Sequence, residues 1–114
     1  MDRIDEILSE LVKFRNERNW EQFHNPKDLA LALSIEAAEL NELFLWKKDE
    51  NEWKDIPEES IREELADVFA FAFLLSEKYQ LDVRDIVLEK IRKNGEKYPV
   101  AKSRDNATKY NKLR

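Results

Sequence analysis

Residues 63–79 read EELADVFAFAFLLSEKY, and every side chain from Val68 to Leu75 is apolar. Ile61, Leu65, Val68, Ala72 and Leu75 recur at steps of three and four, the period of a helix, and Pro57 stands where such a helix opens. The pattern predicts a helix from Pro57 to Tyr79. Because this segment is apolar nearly all round, it offers more hydrophobic surface than the rest of one small subunit covers. That predicts a homo-oligomer, a homodimer or a homotetramer. Within the same segment Glu64 and Asp67 lie three residues apart, beside Leu65 and Val68.

The arrangement has a counterpart upstream. Residues 34–40 read SIEAAEL, placing Glu36 between Leu33 and Leu40 and Glu39 one turn further along. This run belongs to a helix predicted from Pro26 to Lys48, with Leu29, Ala32, Leu33, Leu40, Leu43 and Phe44 turned inward. Asn25 before Pro26 gives it a start with a mechanism, a capping side chain followed by a residue with no N–H to lose.

Two flanking helices complete the architecture. The first, from Asp2 to Arg18, carries Ile4, Ile7, Leu8, Leu11 and Phe14 at helical spacing. The last, from Val83 to Lys97, is capped by Asp82 and has a shorter stripe of Ile86, Val87 and Ile91. The polar stretch KKDENEWKDIP, residues 47–57, reads as a loop. Four helices in 114 residues, with 42% hydrophobic content and a single glycine, predict an all-α fold: a small helical bundle of four main helices. Residues 1–114 form one domain in this reading, and 99–114 are its basic C-terminal tail, extended or ordered by contacts.

Composition excludes several classes of function. With no cysteine there is no disulfide, thiolate metal site or cysteine nucleophile, which suits a reducing cytoplasm. No uninterrupted apolar stretch marks a leader or a membrane span, so the expected location is cytoplasmic. The net charge of −5 is unevenly spread: residues 90–114 carry nine Lys and Arg against two acids. An acidic body repels a nucleic acid polymer, whereas a basic tail beside an acidic centre suits a phosphate held through a metal.

Four acids on inward helix faces require a partner. An unpaired ionised carboxylate in an apolar interior costs several kcal/mol, comparable to the stability of a small domain. No inward Lys or Arg is apparent on the second helix, and Arg62 and Lys78 project elsewhere. A hard divalent cation with oxygen ligands satisfies the charge, and Mg²⁺ is the usual one. A di-iron bundle calls for Glu-x-x-His, and the one histidine, His24, lies outside both helices. A single Glu-x-x-Glu is frequent by chance on charged helices; two on consecutive long helices carry more weight.

At this point LALSIEAAELNELFLWK and EELADVFAF together resemble the signature of the MazG-like, all-α nucleoside triphosphate pyrophosphohydrolases. WEQFHNPKDL and KIRKNGEKYP are similar to the single-domain branch that includes dCTP pyrophosphatase. The resemblance runs from about Ile4 to Tyr110. It implies that Glu36, Glu39, Glu64 and Asp67 hold Mg²⁺, and that a nucleoside triphosphate is cleaved between its α and β phosphorus atoms. It also implies that Trp20 and Trp46 enclose the base, with His24 in the same segment; Glu36 or Glu39 is the acid expected to handle the attacking water, the alternative being that all four only ligate metal. Lys90, Asn94 and Tyr98 match positions near the phosphates, and Lys97, with Lys102 and Arg104 of the tail, is a further basic residue expected to close over them. Two positions depart from the branch: Leu11 replaces a histidine and Phe71 a tyrosine, removing polar groups from the base and with them the grounds for a dCTP preference. The residues alone leave open a noncatalytic helical module for dimerisation or nucleotide sensing. Phosphoribosyl-ATP pyrophosphohydrolase shares the general chemistry, and the tryptophan pair argues against it.

Overall fold

The computed structural model describes residues 2–113. Six α-helices follow one another: α1 (Arg3–Glu17), α2 (Pro26–Glu42), α3 (Glu50–Trp53), α4 (Glu58–Lys78), α5 (Val83–Lys97) and α6 (Val100–Ser103). Two 3₁₀ turns, Glu21–Phe23 and Tyr110–Lys112, complete the order. No strand occurs among the described residues. The four expected helices are the four long ones.

Their starts follow from capping. The side chains of Asp2, Asn25 and Asp82 accept from the N–H groups of Asp5, Asp28 and Asp85 at 2.8, 2.9 and 2.9 Å, each satisfying an orphan donor of the first turn. Asn25 also donates through Nδ2 to Asp28 Oδ2 at 2.7 Å, which locks the entrance to α2.

The chain divides into two compact units, residues 1–80 and 81–114. In the first, α4 packs along α2 over its greatest length and along α1 more briefly. Leu29 of α2, Leu74 of α4 and Ile56 just before α4 are its buried apolar side chains among the described residues. Ile7, Phe14, Leu31, Ile35 and Phe69 are large, apolar and exposed. The second unit comprises α5, α6 and the last 3₁₀ turn. There the Tyr98 and Tyr110 rings meet edge to face at 6.0 Å, and Lys97 Nζ stands 4.8 Å from the Tyr110 ring centre. The last residue of the basic tail, Arg114, lies outside the described residues.

Several boundaries differ from the sequence reading. Helix α2 ends at Glu42 rather than Lys48, because the N–H groups of Leu43, Phe44 and Leu45 bond three residues back, to Leu40, Asn41 and Glu42 at 3.2, 3.0 and 3.1 Å. Trp46 then takes a left-handed φ of 64°, which a helix cannot continue through. Leu43 and Phe44 prolong the apolar spacing without prolonging the helical bonding. The stretch read as a loop contains α3, a single turn capped by Asp49 and too short to show a period. The tail after Pro99 likewise contains α6 and a 3₁₀ turn. Of the first helix's inward residues, Ile4, Leu8 and Leu11 are half-buried, while Ile7 and Phe14 are exposed.

Candidate active site

The packing of α4 along α2 decides what the four acids do. One carboxylate oxygen each from Glu36, Glu64 and Asp67 lies within 4.8 Å of the others. Glu36 and Glu64 are half-buried and Asp67 is exposed. Glu36 Oε2 and Glu64 Oε2 are buried and have no hydrogen-bond partner, a condition that folded proteins tolerate rarely. Glu39 stands outside the close trio but acts on it. The Glu36 carboxyl is pushed up to about 7, first by loss of solvation, then by the neighbouring Glu39 carboxyl and by the charges of Asp67 and Glu64. Glu64 is raised for the same leading reason, with Glu39, Asp67 and Glu63 contributing. Like charges at this separation oppose joint ionisation, and a cation removes the opposition. The donors are all hard carboxylate oxygens, two of them orphaned, so the site fits Mg²⁺.

A cavity of about 290 Å³ opens beside this cluster. Leu11, Phe14 and Arg15 of α1, Trp20 and His24 of the following turn, and Asp67, Ala70, Phe71 and Leu74 of α4 line it. Asp67 thus borders both the acid cluster and the cavity. Leu11 and Phe71, the two departures noted from the sequence, face this same space and leave its wall largely apolar. Trp20 is held edge-on to Phe14 with ring centres 5.8 Å apart. His24 Nδ1 is buried without a partner. Desolvation lowers the histidine pKa from its ordinary value, and the nearby charges of Arg15 and Lys78 add to the effect, so the ring is neutral near pH 7.

Trp46 is 87% exposed and is not among the residues lining the Trp20 cavity. Lys90 and Asn94 of α5 and Tyr98 just after it belong to the second unit at steps of four residues, and Asn94 O accepts from the Tyr98 N–H at 2.8 Å. Sequence reasoning missed Arg15, the buried charged residue of the first unit. The signal was present: Ile4, Leu8 and Leu11 trace the inward stripe of α1, and position 15 is its next step.

Comparison with known proteins agrees with this geometry. The model of the MazG-like family matches residues 31–113, which contain all four acids. The dCTP pyrophosphatase 1 of Bos taurus is 39% identical across 96% of this chain and 68% of its own length. That of Homo sapiens is 36% identical across 96% of this chain and 67% of its own. A crystal structure of a pyrophosphatase from Archaeoglobus fulgidus superposes with a TM-score of 0.81 at 34% identity, covering 87% of this chain and 94% of that one. With the acid pairs of α2 and α4 inside the matched segment and the fold shared along most of its length, the chain belongs to the MazG-like family.

Proposed function

We propose that this chain is a Mg²⁺-dependent nucleoside triphosphate pyrophosphohydrolase. Water adds to the α phosphorus of a (deoxy)nucleoside triphosphate, the bond to the bridging oxygen breaks, and a nucleoside monophosphate and pyrophosphate leave. The observation that carries this reading is the convergence of Glu36, Glu64 and Asp67 with two buried, unpartnered oxygens. Bound by these three and Glu39, Mg²⁺ supplies neutralisation of charge on the phosphate oxygens. Glu36 and Glu39 are the candidates to accept the proton of the attacking water; the Glu36 carboxyl, pushed up to about 7, holds a proton well enough to take one in the transition state. Trp20 offers the base a stacking surface, worth about 1–3 kcal/mol for any base, and His24 Nδ1 offers a hydrogen bond. Trp46 is the second proposed base contact. Lys90, Asn94 and Tyr98 are assigned to the phosphates by the family resemblance.

The relatives named dCTP pyrophosphatase support a deoxynucleoside triphosphate as substrate and nucleotide-pool sanitation as the role. Leu11 and Phe71 in the cavity wall favour a base read by stacking more than by hydrogen bonds. No helix of the described residues is long and apolar enough to cross a membrane, and the reading includes neither a membrane nor a nucleic acid polymer as partner. The exposed Ile7, Phe14, Leu31, Ile35 and Phe69 support assembly as a homodimer or homotetramer. A pyrophosphate-release screen over canonical, methylated and oxidised nucleotides, with and without Mg²⁺, tests the function. Release that requires Mg²⁺ supports it, and no release from any nucleotide in the panel rejects it.

A further inference from the structure

Arg15 is charged, buried and unused by the proposed chemistry. Its side chain is only 4% exposed, and every branch of it is engaged. Nη1 donates to Glu77 Oε2 of α4 at 2.8 Å, Nε donates to Asn16 Oδ1 at 3.1 Å, and Nη2 lies 3.7 Å from Glu21 Oε2 in the 3₁₀ turn. Lys78 Nζ reaches the other oxygen of Glu21 at 3.5 Å. Two cations and two acids therefore link the end of α1, the turn after it and the end of α4. The backbone of Arg15 joins the same link, because its carbonyl accepts from the N–H of Trp20 at 3.0 Å and from that of Arg18 at 3.2 Å.

We propose that Arg15 is a positioning residue for the nucleotide, its ion pair with Glu77 clamping the Trp20–His24 turn to α4 so that both side chains stay in the wall of the cavity that Asp67 borders. Packing alone does not explain the pair. A buried ion pair contributes little to stability relative to apolar side chains of similar size, so its worth lies in the geometry it fixes. That geometry needs fixing because the turn has few other restraints. Asn19 adopts a left-handed φ of 54°, and apart from the Lys78–Glu21 contact the remaining bonds of the segment are local, such as Phe23 N–H to Trp20 O at 2.9 Å and Gln22 Nε2 to Asn19 O at 2.9 Å. The Phe14 ring and the Arg18 guanidinium, 3.6 Å from the Phe14 ring centre, steady Trp20 from the α1 side only. Arg15 and Glu77, with the Lys78–Glu21 contact beside them, supply the tie to α4, where Ala70, Phe71 and Leu74 form the opposite wall.

This inference rests on the nucleotide reading above, and the experiment separates the two. Steady-state pyrophosphate release is measured for the wild type, for the apolar double variant Arg15→Met with Glu77→Met, and for Arg15→Lys. Amide exchange of the 16–25 segment is followed in parallel. The apolar double variant keeps its thermal midpoint, raises KM roughly tenfold through loss of part of the stacking contact, changes kcat less than about twofold, and exchanges faster over 16–25. Arg15→Lys, which keeps the charge but not the forked geometry, falls between. A folded apolar variant with wild-type KM and wild-type exchange over 16–25 overturns the proposal. If the apolar variant does not fold, Arg15→Lys decides: wild-type KM with wild-type exchange in that protein overturns it equally. A wild type that turns over no nucleotide rejects the enzymatic reading instead, and faster 16–25 exchange in the variants still reports the clamp.

Discussion

Helix α4 carries partly buried acids near both ends, and the two ends treat them in opposite ways. Near its start Glu64 and Asp67 meet Glu36 of α2 with no basic residue among them, and two buried oxygens are left without partners. Near its finish Glu77 receives Arg15 at 2.8 Å, and Glu21 and Lys78 extend the pairing. The same problem, charge among apolar neighbours, is solved internally at one end and left open at the other. Unsatisfied charge marks where a ligand belongs, and satisfied charge marks where the chain holds its own shape.

The sharpest way to break this contrast is to neutralise the open end. Glu64→Gln or Asp67→Asn removes a proposed ligand for Mg²⁺, and pyrophosphate release is expected to fall by about 10² to 10³, the loss typical of deleting one electrostatic contact to a transition state. The thermal midpoint without metal should stay level or rise, because a like charge has left the cluster. Loss of activity accompanied by unfolding would place these acids in the scaffold instead.

Titration sharpens the contrast further. The Glu36 carboxyl stands at about 7 in the fold against an ordinary 4.5, so between those values the folded chain retains a proton that the unfolded chain has released. Stability from this group is complete below pH 4.5 and is lost as pH rises through about 7. Protons and metal compete for the same oxygens, so Mg²⁺ should raise the melting temperature more at pH 8 than at pH 5.5. At a hundredfold excess over Kd the stabilisation is about 2.7 kcal/mol, and a chelator should abolish it. A Mg²⁺ effect of equal size at both pH values would show that the acids are not the binding groups.

The closed end responds through stability. Glu77→Ala strands a buried guanidinium with Glu21 at 3.7 Å as its remaining acid. Breaking a fully buried pair costs 3–5 kcal/mol, and with the Glu77 side chain 31% exposed, solvent reduces this to about 2 kcal/mol in a denaturant titration. Arg15→Ala should cost less of its effect through charge, since the partially exposed Glu77 can hydrate.

How much of this was legible beforehand follows from what periodicity encodes. The spacing of Ile61, Leu65, Val68 and Ala72 fixed α4, and the Asn25–Pro26 and Asp82 signals fixed the starts of α2 and α5, because caps and helical period are local. Helix ends were less readable. At Leu43–Trp46 the apolar spacing continues while the hydrogen bonds tighten and Trp46 turns left-handed, a change that hydrophobicity does not record. In the site, the residues of Glu36, Glu64 and Asp67 were visible as acids on inward faces, and their convergence required only that the two long helices pack side by side. Arg15 was not seen, because its partner Glu77 is 62 residues away and only the packing of α1 on α4 brings them together.

The smallest expected effect supplies the control for the whole comparison. Arg62 and Glu58 also pair on α4, at 3.3 Å and one turn apart, but their side chains are 75% and 80% exposed. Water screens the attraction, and ordering two long side chains offsets most of it. Arg62→Ala should therefore change stability by no more than about 0.5 kcal/mol, while leaving both Mg²⁺ stabilisation and KM at their wild-type values. Burial, rather than the presence of opposite charges, is then what separates a pair that shapes the fold from one that does not. A change in Mg²⁺ response on losing Arg62 would mean that the acid cluster draws on this cation after all, and the open end would have to be redrawn to include it.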